Sequence, residues 1–238
     1  MPLTGCWRMA PLTSHGAARA DYEKGLDLAK EGKHKEAVAK FNKAIDVNPR
    51  YVEAYKAAGE SNVAIGQLDE AVSAYKRAVV IKEDSPLQDG LGVAYALQGR
   101  YDEALTAFRR SVRLGSTDPH TFINLARAYL KKGQHRNAIY ELESALKLDP
   151  DSDEAYNVMG NVYVDWKKYP QALDAYLKAE HVNPKSPDVQ YNLGLLYDDC
   201  LPDKGEALRH FQKYLDLTKS GDKDVIKRMR DIIRENVK

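Results

Sequence analysis

A small residue returns every 33 or 34 positions along most of this chain, and that spacing decides what the chain can fold into. Gly25, Gly59, Gly92, Ala126, Gly160 and Gly194 stand 34, 33, 34, 34 and 34 residues apart. Twelve residues after each of the first five comes an alanine: Ala37, Ala71, Ala104, Ala138 and Ala172. Four further on stand Phe41, Tyr75, Phe108, Leu142 and Tyr176, and three beyond those Ala44, Ala78, Ser111, Ala145 and Ala179. In the copy from Asp153 to Ser186, Tyr156, Met159, Gly160 and Tyr163 fall at i, i+3, i+4, i+7, and Ala172, Tyr176 and Ala179 at i, i+4, i+7. Each set is one face of an amphipathic helix. Small residues sit where the two helices approach most closely and large rings fill the space beside them, so each copy is a helix-turn-helix brick. Pro184 has no N–H to donate and disfavours helix in the residue before it, so it closes its copy, as Pro49 and Pro150 close two others.

This pattern resembles the tetratricopeptide repeat, whose signature is the 34-residue spacing of small and aromatic residues, and it covers roughly Ala18 to Leu217. The resemblance implies an all-α fold: a right-handed α-solenoid of about six helix pairs, with the first helix of each pair lining a concave groove. The units read 18–51, 52–84, 85–118, 119–152, 153–186 and 187–217, preceded by a tail over 1–17 and followed by a capping helix over 222–238.

Several departures from the pattern carry expectations of their own. Gly32, Gly66, Gly99 and Gly133 make the turn between the two helices of a pair, a helix-ending use of a residue that accepts a left-handed backbone; Lys167 replaces them in the fifth unit, where a different turn is expected. Asn62 stands where other units have Leu28, Tyr95, Tyr129, Tyr163 and Tyr197, and a buried amide there must either find a hydrogen bond or rotate outward. Pro86 falls at the start of a first helix, where its missing N–H matters least. The sixth copy has one extra residue and a proline in Asp198-Asp199-Cys200-Leu201-Pro202-Asp203-Lys204-Gly205, so that Ala207 and Phe211 come one place late. After Ser220-Gly221, a last helix gathers Val225, Ile226, Met229, Ile232 and Ile233 on one face, fit to cover the open end of a stack, with its basic residues on a solvated outer face.

Composition narrows the function. With 43% hydrophobic and 30% charged residues, a formal charge of +1 and no run near the ~20 apolar residues of a membrane helix, the chain is globular, lacks the basic excess of a nucleic-acid binder and encodes no transmembrane segment. The tail, rich in Pro, Thr, Gly and Ala without helical periodicity, reads as disordered. Within it Leu3-Thr4-Gly5-Cys6 resembles the bacterial lipobox, in which the cysteine is lipidated, although the five residues before Cys6 fall short of the charged start and about 7–15 apolar residues of a signal peptide. Either the match is chance and the chain is cytoplasmic as encoded, or the start lies inside a longer signal peptide and Cys6 carries a lipid anchor in the bacterial envelope.

No catalytic constellation is written in the chain. His15, His34, His120, His135, His181 and His210 are scattered without a metal-ligand spacing, and His34 and His135 share the place of Tyr101 and Tyr169, which marks them as packing residues. Cys6 and Cys200 are not in a Cys-x-x-Cys motif, and Gly90-Leu91-Gly92 lacks the preceding strand of a phosphate loop. No cofactor, metal or enzyme activity is expected.

The groove remains. Facing away from the second helices are Arg19, Tyr22 and Leu26; Glu53, Lys56 and Glu60; Asp89 and Val93; His120, Asn124 and Arg127; Glu154, Asn157 and Asn161; and Asp188, Tyr191 and Asn192. Amides offer donors and an acceptor and can hold the main chain of an extended peptide; tyrosine adds area with a polar tip. Asn124, Arg127, Asn157, Asn161, Tyr191, Asn192 and Lys56 are therefore the candidate peptide-binding residues, and Asp165, Asp188, Asp198 and Asp199 would favour a positively charged ligand at that end. The lysine-plus-asparagine clamp by which some relatives hold a C-terminal carboxylate is absent, which argues against a chaperone-tail receptor. The chain is expected to be a non-catalytic scaffold for a protein or peptide partner, similar to the tetratricopeptide lipoproteins that assist assembly of type IV pili. The alternatives are a cytoplasmic adaptor or cochaperone, or an accessory subunit that positions substrate for a separate enzyme.

Overall fold

Gly92 shows why these helices pair as they do: a methyl group added to it would lie 2.6 Å from the Phe108 ring, so the two backbones approach as closely as a ring allows. The same contact recurs at Gly25 against Phe41 (2.5 Å), Gly59 against Tyr75 (2.7 Å), Gly194 against Phe211 (2.6 Å), and Gly160 against Tyr176. Where the small residue carries a methyl, at Ala126, the partner is Leu142, and both are fully buried. The computed structural model describes residues 14–219 and 221–235; within them the regular structure is helical throughout, with no strand. Cys6 and the lipobox-like string lie outside the described residues.

The chain divides into two compact units, Met1–Ser116 and Thr117–Lys238. The first holds three helix pairs: α1 (Ser14–Lys30) with α2 (His34–Val47), α3 (Val52–Ala64) with α4 (Leu68–Ile81), and α5 (Ser85–Leu97) with α6 (Tyr101–Arg113). Helix α1 begins before the expected Ala18, so Ser14 to Ala17 belong to a helix and not to the irregular tail. The Tyr75 ring of α4 lies between Gly59 of α3 and Gly90 of α5, which gives Gly90 a packing role between neighbouring pairs. Asp84 caps α5 by accepting from the Leu87 N–H at 3.1 Å, and Pro86 sits in the first turn.

The second unit holds α7 (Pro119–Lys131) with α8 (His135–Leu148), α9 (Asp153–Asp165) with α10 (Tyr169–Val182), α11 (Pro187–Leu195) with α12 (Lys204–Thr218), and the closing α13 (Lys223–Glu235). The extra residue of the sixth copy is absorbed as a π-helical turn at Leu196–Cys200, where the Leu201 N–H reaches the Leu196 carbonyl at 2.9 Å. On that turn Asp198 accepts from Lys204 (2.7 Å) and from Arg228 of α13 (2.6 Å), and Arg228 also reaches Asp199 (2.9 Å). Burial pushes the Asp198 carboxyl up, but these hydrogen bonds outweigh it and hold the group below its usual range. Helix α13 therefore closes this unit by two means. Val225 and Ile232 are buried against Ala207 and Phe211 with Met229 beside them, and Arg228, its side chain 42% exposed, reaches across to Asp198 and Asp199 as an ion-pair anchor. Ile233, placed by periodicity on the buried face, is 51% exposed.

The turn at Lys167 is the same as its glycine counterparts. Lys167 has φ +59°, its N–H bonds to the Val164 carbonyl (2.9 Å) and the Lys168 N–H to the Tyr163 carbonyl (2.8 Å), as Gly133 and Gln134 do with Leu130 and Tyr129. The repeat geometry overrides the side-chain preference, leaving a lysine in a conformation that costs an L-residue about 1–2 kcal/mol. Lys167→Gly is expected to stabilise the second unit by about 1 kcal/mol in urea unfolding. Unchanged or lower stability would mean that the lysine is not strained.

Candidate protein-binding face

In the second unit the first helices α7, α9 and α11 present the residues expected to bind. Arg127 of α7 is held by Glu154 of α9 at 2.8 Å, and His120 reaches the other oxygen of the same carboxylate at 3.1 Å. Asn192 of α11 donates from Nδ2 to Oδ1 of Asn157 at 2.9 Å. The Tyr176 hydroxyl donates to Oδ1 of Asn161 at 2.6 Å, and burial raises its pKa so that it stays a donor. These bonds tie the three helices into one polar strip and fix the amide orientations. Among the described residues the Nδ2 groups of Asn157 and Asn161, the Oδ1 of Asn192 and the amide of Asn124 make no hydrogen bond, and all four residues are half-buried.

Not every expected residue joins this strip. Tyr191 packs its ring on Phe211 and Tyr214, with centroids 6.3 and 5.3 Å apart, as part of the core under α13. Lys56 lies on α3 in the first unit, 3.7 Å from Glu60. Part of the acidic end expected to attract a cation is already paired: Asp198 faces Lys204 and Arg228, Asp199 faces Arg228, and Asp165 bonds the His135 ring at 2.6 Å. His135 in turn stacks on Trp166, 5.5 Å between centroids.

Sequence reasoning missed a buried polar network beside the strip. Gln190 and His210 are both fully buried. The His210 Nδ1–H donates to the Gln190 carbonyl oxygen (2.8 Å) and its Nε2 accepts from Arg209 (2.7 Å), while Gln190 donates to Glu180 (3.0 Å), which also accepts from Lys213 (2.8 Å). The register carried little signal: the place of His210 holds Lys40, Ala74, Ala107, Glu141 and Ala175 in the other units, so it does not announce a buried ring. Burial first, then the nearby Arg209 charge, lowers the His210 pKa to about 4, so the ring is neutral.

Residues 24–192 match the family model described as "Cilia and flagella-associated protein 70 C-terminal domain", a tetratricopeptide-repeat domain. The chain belongs to this tetratricopeptide-repeat family. Tetratricopeptide repeat protein 37 of Xenopus laevis is 27% identical over 191 residues, 78% of this chain and 12% of the frog protein. Across this and four further curated relatives the chain spans 4% to 24% of their length. Among solved structures, that of PilW, a widely conserved type IV pilus biogenesis factor, superposes with a TM-score of 0.79 at 14% identity, covering 91% of this chain and 98% of that one. YrrB, a tetratricopeptide-repeat protein with an unusual peptide-binding site, gives 0.56 at 23% identity over 76% of this chain and 93% of that one. These likenesses show the fold, an all-α repeat solenoid. Tetratricopeptide-repeat proteins are in general non-catalytic scaffolds for contact with other proteins, and among the described residues no helix is long and apolar enough to cross a membrane.

The lowered pKa of His210 gives this repeat domain a pH signature. The unfolded chain takes up the histidine proton near pH 6.5 and the folded chain only near 4, so the His210 contribution is complete above about 6.5 and falls as pH is lowered through that window. His210→Asn keeps a donor toward Gln190 and cannot titrate. Urea midpoints measured from pH 7 to 4 should decline more steeply for the wild type than for this variant, and parallel curves would remove His210 as the source.

Proposed function

We propose that the chain is a non-catalytic scaffold that holds an extended segment of another protein against the α7, α9 and α11 strip. The observation that carries this reading is the pattern of unused polar groups on a pre-oriented surface. Asn157 and Asn161 are held through their oxygens and keep their N–H donors unused, suited to main-chain carbonyls; Asn192 is held through its nitrogen and keeps an acceptor, suited to a main-chain N–H. A strip with fixed donors and acceptors loses little side-chain entropy on binding and reads backbone more than sequence. YrrB lends support as a repeat protein of the same fold described with a peptide-binding site. The assembly role suggested by PilW belongs to this proposal in its general form, a scaffold within a larger complex; the specifically bacterial setting rests on that one likeness of fold.

Affinity capture from the native cell, read by mass spectrometry, tests the proposal with Asn157→Ala, Asn161→Ala and Asn192→Ala combined. Net worth of about 0.5–1.5 kcal/mol per hydrogen bond makes a loss of more than about tenfold in affinity the expected result, at unchanged helicity. Retention of the same partners at the same yield would show the strip to be ordinary surface.

A further inference from the structure

Helix α13 is built as the first half of a helix pair, and the pair before it shows what each of its faces is for. Val189 and Leu196 are buried against Tyr176 and Ala179 of the preceding α10. Gln190, Gly194 and Tyr197 meet α12 instead, through the hydrogen bond to His210, the Phe211 ring, and a stack on the His210 ring with centroids 5.7 Å apart. Thirty-six residues on from Val189 and Leu196 stand Val225 and Ile232, buried in the equivalent way against Ala207 and Phe211 of α12. The caps agree: Asp222, which accepts from the Val225 N–H at 3.2 Å, stands 36 residues after Ser186, the N-cap of α11. The same step carries Gln190, Gly194 and Tyr197 to Ile226, Arg230 and Ile233. In the pair before, a second helix covers this face; among the described residues none lies on it here. Ile226 is half-buried, Arg230 and Ile233 are exposed, and neither isoleucine packs with the Phe211 cluster.

Arg230 decides what can dock on this face. At Gly194 the Phe211 ring takes the space of the missing side chain, whereas Arg230 keeps its own, so the ring of an ordinary second helix would clash there. The occupant must answer a cation. Lys223, Lys227, Arg230 and Arg234 follow at i, i+4, i+7 and i+11 with Ile226 and Ile233 alongside, and the six share about 120° of the helix surface with no acid among them. Arg234 lies 3.7 Å from Asp231, on the neighbouring sector, while Lys223, Lys227 and Arg230 make no ion pair among the described residues. A second copy set face to face would bring these cations against one another. A bilayer surface is answered by a whole apolar helix face, and that of α13 is already spent on α12, leaving two isoleucines. A carboxylate carried on a helix can meet the Arg230 guanidinium with two parallel hydrogen bonds, and apolar residues a turn to either side of it would cover Ile226 and Ile233. We propose that α13 receives an acidic amphipathic helix of a partner protein in the place of a seventh second helix, with a carboxylate on Arg230 and further acids toward Lys223 and Lys227. This site is separate from the amide strip and stands or falls independently of it.

The full chain would be titrated with the capped helical peptide Ac-Glu-Ala-Ala-Leu-Glu-Ala-Ala-Glu-Ala-Ala-Leu-Glu-Ala-Ala-NH2, whose acids and leucines repeat the spacing of the cations and isoleucines of α13, following the Ile226 and Ile233 methyls by NMR. Saturable shifts at both methyls are expected. Affinity should fall at least about tenfold when glutamine replaces every glutamate of the peptide, and by as much for Arg230→Glu. That variant should keep full helicity, since Val225, Ile232 and Arg228 still fasten α13, and it should gain binding to the peptide with lysine in place of glutamate. Asn157→Ala, Asn161→Ala and Asn192→Ala should leave this binding unchanged. The proposal is overturned if the glutamine peptide binds as well, if Arg230→Glu keeps its affinity, or if the methyls respond to phosphatidylserine-containing vesicles and not to the peptide. It is equally overturned if sedimentation shows a dimer of the chain that Arg230→Glu dissolves.

Discussion

The contact of a ring with a bare backbone is the interaction on which the rest of this structure depends. A glycine on the first helix removes the one atom that would hold the second helix away, and an aromatic ring four residues beyond an alanine takes the space. Because each side chain fills the gap left by the other, neither can change alone. Ala126 opposite Leu142 illustrates this: the added methyl on one side is met by a narrower, branched side chain on the other. Close packing of this kind sets the approach of the helices, and through it the line along which the first helices present their outer faces.

That packing was legible in the sequence because it recurs. A contact repeated at one spacing leaves a periodic trace, and the helix pairs follow from it. Features that occur once leave no such trace. The π-helical turn at Leu196–Cys200 arises from one extra residue, whose accommodation depends on the hydrogen bonds available locally. Lys167 takes a left-handed backbone because the neighbouring helices require the same turn there as elsewhere, a tertiary demand that outweighs the residue's own preference. Ile233 shares the periodicity of Val225 and Ile232 but lies beyond the surface that α12 offers.

The candidate face was legible in part, for a related reason. Helical register places Asn157, Asn161 and Asn192 on one side, yet register says nothing about which atoms of an amide remain available. Only the distances to Tyr176 and between the amides themselves separate the occupied atoms from the unused ones. Charge was harder to read. Asp198 and Asp199 look like an acidic surface until Arg228 arrives from a helix about thirty residues away and turns them into the fastening of α13. Asn62 is a misfit by position, and the structure takes neither expected way out: the residue stays 4% exposed and its Oδ1 is buried without a hydrogen bond.

The claim that ring and small residue are one unit can be tested most directly at the pair that departs from the rule. Ala126→Gly and Leu142→Tyr, made singly and together, form a double-mutant cycle read by urea unfolding. Leu142→Tyr alone should destabilise by about 1–3 kcal/mol because its ring meets the Ala126 methyl. Adding Ala126→Gly should recover more than about 1 kcal/mol of that loss, a coupling well outside simple additivity. If the two effects add within about 0.3–0.5 kcal/mol, the positions are independent and the spacing of glycines and rings does not govern how these helices pack.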